Sequence, residues 1–196
     1  ILPPGDIRRC LISLAEEREL MYQLFNYRFK EGSLREHNLG NLILAALTEI
    51  NKGDFKKSIK EIEKIFKIKG KVLPCTLENT TLCAKLKNGK VIKGEAAIDG
   101  YIDYTHSKNI EELRTREEID YVFLSPQVKP LDETLEEIEK AEKIVIGPGS
   151  VYTSIIPNFL LKEISTSVNK TNAKKIYVCN VMTQIGETAN WPASRH

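Results

Sequence analysis

Along the first third of the chain apolar residues recur every three or four positions, the period of an amphipathic helix. Ile7, Cys10, Leu11 and Leu14 share one face of a helix that Asp6 can cap, and Leu20, Met21, Leu24 and Phe25 continue an apolar face beyond it. Asn38 precedes Leu39, Leu42, Ile43, Ala46, Leu47 and Ile50, the clearest amphipathic stretch, which Gly53 ends. Asp54 then opens a helix that turns Phe55, Ile59, Ile62 and Phe66 inward and closes at Gly70. Gly40 and Asn41 are poor helix formers inside an otherwise good helix, so the close approach of another backbone or a ligand is expected there.

The period then shortens. Thr81-Leu82-Cys83-Ala84-Lys85-Leu86 and Val91-Ile92-Lys93-Gly94-Glu95 flank Asn88-Gly89, the signal of a hairpin whose two central residues take positive φ. This predicts a small hairpin subdomain at 81–98. Residues 99–118 turn polar and lose their pattern, and read as a surface insertion. After it the chain alternates: the strand Tyr121-Val122-Phe123-Leu124, then a helix capped at Asp132 with Leu135, Ile138 and Ala141 inside, then the strand Ile144-Val145-Ile146. A helix opened by Pro157-Asn158, with Phe159, Leu160, Ile164 and Val168, leads to the strand Ile176-Tyr177-Val178-Cys179. Near-continuous apolar strands joined through helices predict a parallel sheet covered on both faces, with right-handed crossovers.

Parallel strands place their carboxyl ends along one edge, where open α/β sheets bind ligands. Three loops are expected there: Ser125-Pro126, 147–154 and 180–184. The second, Gly147-Pro148-Gly149-Ser150-Val151-Tyr152-Thr153-Ser154, combines two glycines with hydroxyls directly after an apolar strand. Glycines admit a ligand close to the backbone, and N–H and hydroxyl groups hold an anion, so the loop reads as a phosphate cradle. The alternative is a Gly-Pro-Gly turn that merely ends the strand. Asn180-Val181-Met182-Thr183-Gln184 carries the amides and hydroxyl of a base or sugar reader, or else a loop facing only solvent.

Near the start, Gly5-Asp6-Ile7-Arg8-Arg9 sets a carboxylate and two arginines within one turn. It reads as an anion or metal site, with Asp6 as an oxygen ligand and Arg8 as a phosphate clamp, or as a helix cap beside solvated arginines. His37 stands at a helix start, where a capping role competes with a ligand role. His106 suggests no site, and His196 reads as none or as part of a site whose remainder is absent from the sequence. The chain has no Gly-x-Ser-x-Gly elbow, informative Cys-His pair or Walker loop, which disfavours nucleophilic hydrolysis.

Composition changes the picture little. Of 196 residues 41% are hydrophobic and 29% charged, an ordinary balance for a soluble globular chain of one domain. Twenty-nine Lys and Arg against 27 Asp and Glu leave a net charge of +2, with no basic block, so nothing points to nucleic acid. Cys10, Cys75, Cys83 and Cys179 lack metal-like spacing and read as buried free thiols of a reducing compartment. No apolar run is long enough to span a membrane and no signal peptide is visible, which makes the cytoplasm the default location.

Leu2-Pro3-Pro4-Gly5-Asp6, Tyr27-Arg28-Phe29, His37-Asn38-Leu39-Gly40-Asn41, Gly147-Pro148-Gly149-Ser150 through Pro157-Asn158, and 178–184 with Gly186-Glu187-Thr188 together resemble the YvcK branch of the CofD-like family. The resemblance spans essentially the whole chain apart from the insertion. It implies an α/β, Rossmann-like three-layer fold with a mainly parallel sheet and a small β-hairpin subdomain, in one CofD-like domain over 1–196. Members of this branch, called gluconeogenesis factors, are cytoplasmic bacterial proteins that bind UDP-sugars such as UDP-N-acetylglucosamine and support cell shape and growth on gluconeogenic carbon. CofD itself is the 2-phospho-L-lactate transferase of coenzyme F420 synthesis, which uses magnesium, joins a phospholactyl group to a deazaflavin and releases a guanine nucleotide. The versions at 148–154 and 180–188 are more similar to the first branch.

On this resemblance Gly147, Gly149 and Ser150 hold a phosphate, Thr153 and Ser154 add hydroxyls, and Asn180, Met182, Thr183 and Gln184 meet sugar or base. Gly5, Asp6 and Arg8 hold a metal, Mg²⁺, or the diphosphate, while His37 and Asn41 face the same crevice. Tyr152 and Trp191 could wall a deazaflavin. The family also implies a glycine-rich strand-loop-helix ahead of Leu2 and a parallel segment beyond His196, so the sequence, which opens without Met, reads as the central part of a longer protein. A homodimer is compatible with the family. Three classes of function are therefore expected to compete: a nucleotide-sugar sensor, a Mg²⁺-dependent transferase, and a structural partner protein that binds neither ligand.

Overall fold

The structure, a computed structural model, describes residues 5–16, 18–99 and 116–196. The chain divides into two compact units, Ile1–Leu77 and Glu78–His196. His106 and most of the predicted insertion lie outside the described residues.

The first unit is helical, as its period predicts: α1 (Gly5–Leu14), α2 (Arg18–Asn26), α3 (Leu39–Ile50) and α4 (Phe55–Ile65). Leu11, Ile12, Phe25, Leu44, Ile59, Ile62 and Val72 form its core. Asn38 caps α3 by accepting from the Asn41 N–H at 3.0 Å, and Asp54 caps α4 by accepting from Lys57 N–H at 2.9 Å. Both side chains occupy otherwise unpaired N–H groups of a first turn. The expected stop at Gly70 is corrected: α4 ends at Ile65, Phe66 closes it, and Lys67 takes the positive φ of 47°. Asp6 lies within the first turn of α1 and is not its cap. The face expected on α2 is only partly used, because Phe25 is buried while Leu20 and Leu24 are exposed.

Gly40 shows why helix propensity yields here. A β-carbon at this position would lie 2.8 Å from Arg8 Cδ, Phe25 Cδ1 and the Phe25 carbonyl oxygen. The expected close approach is thus made by the protein's own chain. Tyr27-Arg28-Phe29 and His37-Asn38 pair across the loop that enters α3: Phe29 N–H donates to His37 O at 3.2 Å and Leu39 N–H to Tyr27 O at 2.9 Å.

In the second unit β1 (Thr81–Leu86) pairs antiparallel with β2 (Val91–Lys93), with Ala84 opposite Ile92, as the hairpin signal predicts. The turn differs in detail. Only Gly89 has positive φ, 87°, while the Asn88 side chain accepts from Lys90 N–H at 3.0 Å, a local bond of the kind asparagine makes in turns. The hairpin runs on into a short helix, α5 (Glu95–Asp99).

The single βαβαβ sheet is not what forms among the described residues. β3 (Ile119–Ser125) pairs antiparallel with β1, Leu124 opposite Leu82 and Val122 opposite Ala84, and completes a three-stranded sheet in the order β2-β1-β3. Periodicity within a strand carries no record of its partner, and here Val122 lines up beside Ala84 and joins the apolar cluster of Leu86, Ile98 and Tyr152. The parallel pairing expected by sequence is confined to β4 (Lys143–Ile146) and β5 (Lys174–Tyr177), with Ile146 opposite Tyr177. Helix α6 (Asp132–Lys140) precedes β4; Asp132 opens it as a helical residue, and the capping position is Leu131. Between β4 and β5 the chain makes a wide, π-type turn at Val151–Ile155, then α7 (Ile156–Phe159) and α8 (Lys162–Lys170), so the expected single helix is broken at Leu160 and Leu161. In this two-stranded sheet Ile144 and Ile146 are half-buried, while Val145 is 60% exposed and Ile176, Tyr177 and Val178 are exposed.

Gly40→Ala tests the packing around α3. Alanine favours a helix by ~1 kcal/mol, yet overpacking against backbone costs about 1–3 kcal/mol. The expected outcome is a lower denaturation midpoint by urea titration; a raised midpoint contradicts the close approach.

Candidate functional site

The 147–154 loop leaves the carboxyl end of β4 and is shaped by contacts with the loop that leaves β5. Gly147 has φ 85°, and a β-carbon there would sit 2.8 Å from the Val178 carbonyl oxygen, so both conformation and space require glycine. The Gly147–Pro148 peptide is cis. Gly149 N–H donates to Asn180 Oδ1 at 3.2 Å, and Asn180 Nδ2 donates to the Gly149 carbonyl at 2.8 Å. A single carboxamide therefore satisfies both backbone groups of Gly149 and locks the two loops together.

The next donors meet a carboxylate. Ser150 Oγ lies 2.8 Å and 2.7 Å from the two oxygens of Glu187, and Tyr152 N–H donates to Glu187 Oε2 at 3.2 Å. Glu187 is 7% exposed. It reaches this position from a turn in which Gln184 N–H donates to Thr188 Oγ1 at 3.0 Å and Thr188 N–H to Gln184 O at 2.9 Å, with Thr188 fully buried. Thr153, also buried, donates to Asp99 Oδ1 at 3.3 Å. Arg116 donates to the Ala97 and Ile98 carbonyls at the end of α5, at 3.2 and 2.8 Å, and to the Gly186 carbonyl. Burial lowers the proton affinity of its guanidinium, and the nearby Glu187 and Asp99 carboxyls oppose that shift.

Burial first, and then a hydrogen bond to Asp99, push the Glu187 carboxyl up to about 7, against the opposing pull of the Ser150 hydroxyl and the Tyr152 N–H. Tyr152 stacks edge-on against Trp191 with centroids 5.8 Å apart, and Arg195 lies over the Trp191 ring at 4.3 Å. The two aromatics expected as a flavin wall are thus packed on one another.

Gly147, Gly149, Ser150, Thr153, Ser154 and Asn180 come together, with Ser154 exposed beside the buried Thr153. Met182 and Thr183 stand exposed on the 180–184 loop, while Gln184 Oε1 is buried without a partner. Gly5, Asp6, Arg8, His37 and Asn41 belong to the first unit. There Asp6 makes an exposed pair with Arg9 at 3.6 Å. Arg8 is 6% exposed and donates through Nη1 to the Phe25 carbonyl at 2.8 Å and to Asn26 Oδ1 at 2.5 Å. The clamp expected of Arg8 is directed inward, onto the end of α2. His37 is exposed, with Nδ1 3.2 Å from the Arg35 carbonyl, and Asn41 keeps a buried Oδ1 without a partner.

A magnesium ion takes several oxygen ligands; Asp6 offers one, already paired with Arg9, and among the described residues no group of three His, Cys, Asp or Glu could hold a metal. None of the four cysteines is in a disulfide, but only Cys83 is buried; Cys75 is half-buried, with its thiol pushed up to about 11 by desolvation, and Cys10 is exposed. No helix among the described residues is long and apolar enough to cross a membrane.

Glu187, Asp99 and Arg116 were not legible as site residues. Gly186-Glu187-Thr188 marked the position, but a lone glutamate in a polar loop has no feature that pairs it with a serine 37 residues earlier.

Fold and loop together define an α/β protein whose glycine-rich strand-to-helix loop is bound to the loop of the neighbouring parallel strand. The family model described as 2-phospho-L-lactate transferase CofD matches residues 1–196, and the chain belongs to the CofD family. It is 44% identical over 198 residues to a Bacillus subtilis protein named "Gluconeogenesis factor", covering 100% of this chain and 58% of that one. A Halalkalibacterium halodurans protein of the same name is 43% identical over 198 residues, covering 100% of this chain and 57% of its own length. A crystal structure from Bacillus halodurans, described as a member of the upf0052 family, superposes with a TM-score of 0.85 at 43% identity over 98% of this chain and 58% of that chain. The chain thus spans a little over half the length of these relatives.

The raised Glu187 carboxyl has a consequence for stability. Below its unfolded value of 4.5 both states hold the proton and nothing is lost; above it the unfolded chain ionises first, so stability falls as pH rises from 4.5 to about 7 and then levels. Melting temperature measured between about pH 5 and about pH 8 is expected to drop for the native protein and to drop less for Glu187→Gln. Parallel curves would contradict the burial of an ionisable carboxyl at this position.

Proposed function

We propose that the protein binds a nucleotide sugar, with UDP-N-acetylglucosamine as the first ligand to test, and serves as a regulatory factor of gluconeogenic growth and cell shape in the bacterial cytoplasm. The observation that carries this reading is the Asn180–Gly149 bridge, which holds a glycine and hydroxyl loop beside an amide and hydroxyl loop at the carboxyl ends of two adjacent parallel strands. That edge is where α/β sheets take nucleotides. Whole-chain similarity to proteins named gluconeogenesis factor supports the regulatory role.

In this reading Gly147 and Gly149 let a diphosphate approach the backbone, Ser150, Thr153 and Ser154 face it, and Thr183 and Gln184 meet the sugar or base. Asn180 acts on the ligand through the loop it fixes. Binding without turnover is expected, because affinity for a ground state lowers no barrier. A phospholactate transfer to a deazaflavin, with Mg²⁺, is the second reading, favoured by the description of the family model. The homodimer is likewise proposed for the whole protein.

Calorimetric titration of the full-length protein with UDP-N-acetylglucosamine, with and without Mg²⁺, separates the two from GDP plus deazaflavin. Saturable, product-free binding of the UDP-sugar is expected. Gly149→Val would force a branched side chain into a position where even a β-carbon lies 3.2 Å from Ser154 Cβ, and is expected to weaken binding by more than about tenfold with an unchanged circular dichroism spectrum. Equal affinity of that variant would refute the cradle.

A further inference from the structure

The donors that the loop would offer a phosphate are already held by an anion of the protein. Ser150 Oγ and Tyr152 N–H both point at the Glu187 carboxylate, which is almost wholly buried and sits on the turn set by Gln184 and Thr188. A negative diphosphate and an ionised Glu187 cannot share those two donors without strong like-charge repulsion in a site of low dielectric. We propose that Glu187 is a resident competitor of the ligand's phosphate: ionised, it occupies the Ser150 and Tyr152 donors and excludes the diphosphate; protonated, it yields them. This rests on the nucleotide-sugar reading above and adds to it a residue that sets affinity and its pH range.

The groups facing Glu187 define how it responds. Asp99, at the end of α5, favours the neutral form, and Arg116, ahead of β3, lies within electrostatic reach of both carboxyls; Tyr152 and the hydroxyl of Ser150 come from the wide turn. The protonated carboxyl can hydrogen-bond to Asp99 and turn from the loop, so the same neighbours that destabilise its charge also give the neutral form a place. Its position near neutrality matches this arrangement. A diphosphate esterified at both ends holds no proton near neutral pH, so ligand titration adds no such dependence of its own.

The test is calorimetry of the full-length protein with UDP-N-acetylglucosamine at several values between about pH 6 and about pH 8.5, each in two buffers of different ionisation enthalpy. For the native protein the affinity is expected to fall about tenfold or more across the range, with close to one proton taken up per ligand above neutrality. Glu187→Gln should bind with little pH dependence, take up no proton, and exceed the native affinity at the alkaline end. Asp99→Asn removes the carboxyl that favours the neutral form and should move the fall in affinity to lower pH, a result that stands even where Glu187→Gln folds poorly. Saturable binding with the same pH profile in all three proteins overturns the competition and leaves the nucleotide-sugar reading intact. No binding by any of them at any pH overturns that reading and the competition with it.

Discussion

The second unit is organised by one buried carboxylate. Glu187 accepts from a hydroxyl and a backbone N–H of the wide turn after β4, and its own turn is closed by Thr188 against Gln184. A carboxylate taken out of water must be compensated by hydrogen bonds or neutralised. Here both occur: donors come from Ser150 and Tyr152, and the raised proton affinity reflects the residual cost of burial. Because its partners come from the 150–152 turn and from Asp99 at the end of α5, satisfying this group ties both to the 184–188 turn.

Around this group the backbone is drawn tight enough that side chains become obstacles. At Gly147 the Val178 carbonyl oxygen, just beyond β5, lies 2.8 Å from where a β-carbon would be, and Asn180 pairs with both polar groups of Gly149. Each contact removes an unpaired backbone group from a region that carries few regular sheet bonds. The loop is held by contacts internal to the protein, and the same contacts would pre-organise it for a ligand.

In the first unit an arginine does the comparable work. Arg8 lies among apolar side chains of the helices, yet its guanidinium meets the carbonyl end of α2, where the last C=O groups of a helix lack intrahelical partners. Gly40 leaves room for its stem. An arginine beside an aspartate at a helix start reads in sequence as an anion clamp; burial turned it into a brace. The distinction depends on which way a long, flexible side chain folds, and local pattern holds no information about that.

Much was legible before any coordinates. The helical period from Ile7 to Phe66, the Asp54 cap, the Asn88-Gly89 hairpin and the parallel pair around Ile146 and Tyr177 all follow from short-range rules of periodicity, capping and turn chemistry. So did the placement of a glycine and hydroxyl loop at the end of β4 and an amide loop after β5. The sequence by itself therefore determined the elements and the chemical character of the loops, because those depend on residues within a few positions of one another. Tertiary structure alone decided that β3 joins the hairpin rather than β4, that Arg8 faces inward, and that Glu187, Asp99 and Arg116 meet behind the loop. Strand partnership and charge pairing are fixed by burial between distant segments, and a period of two or 3.6 residues records which face is apolar but not what will cover it.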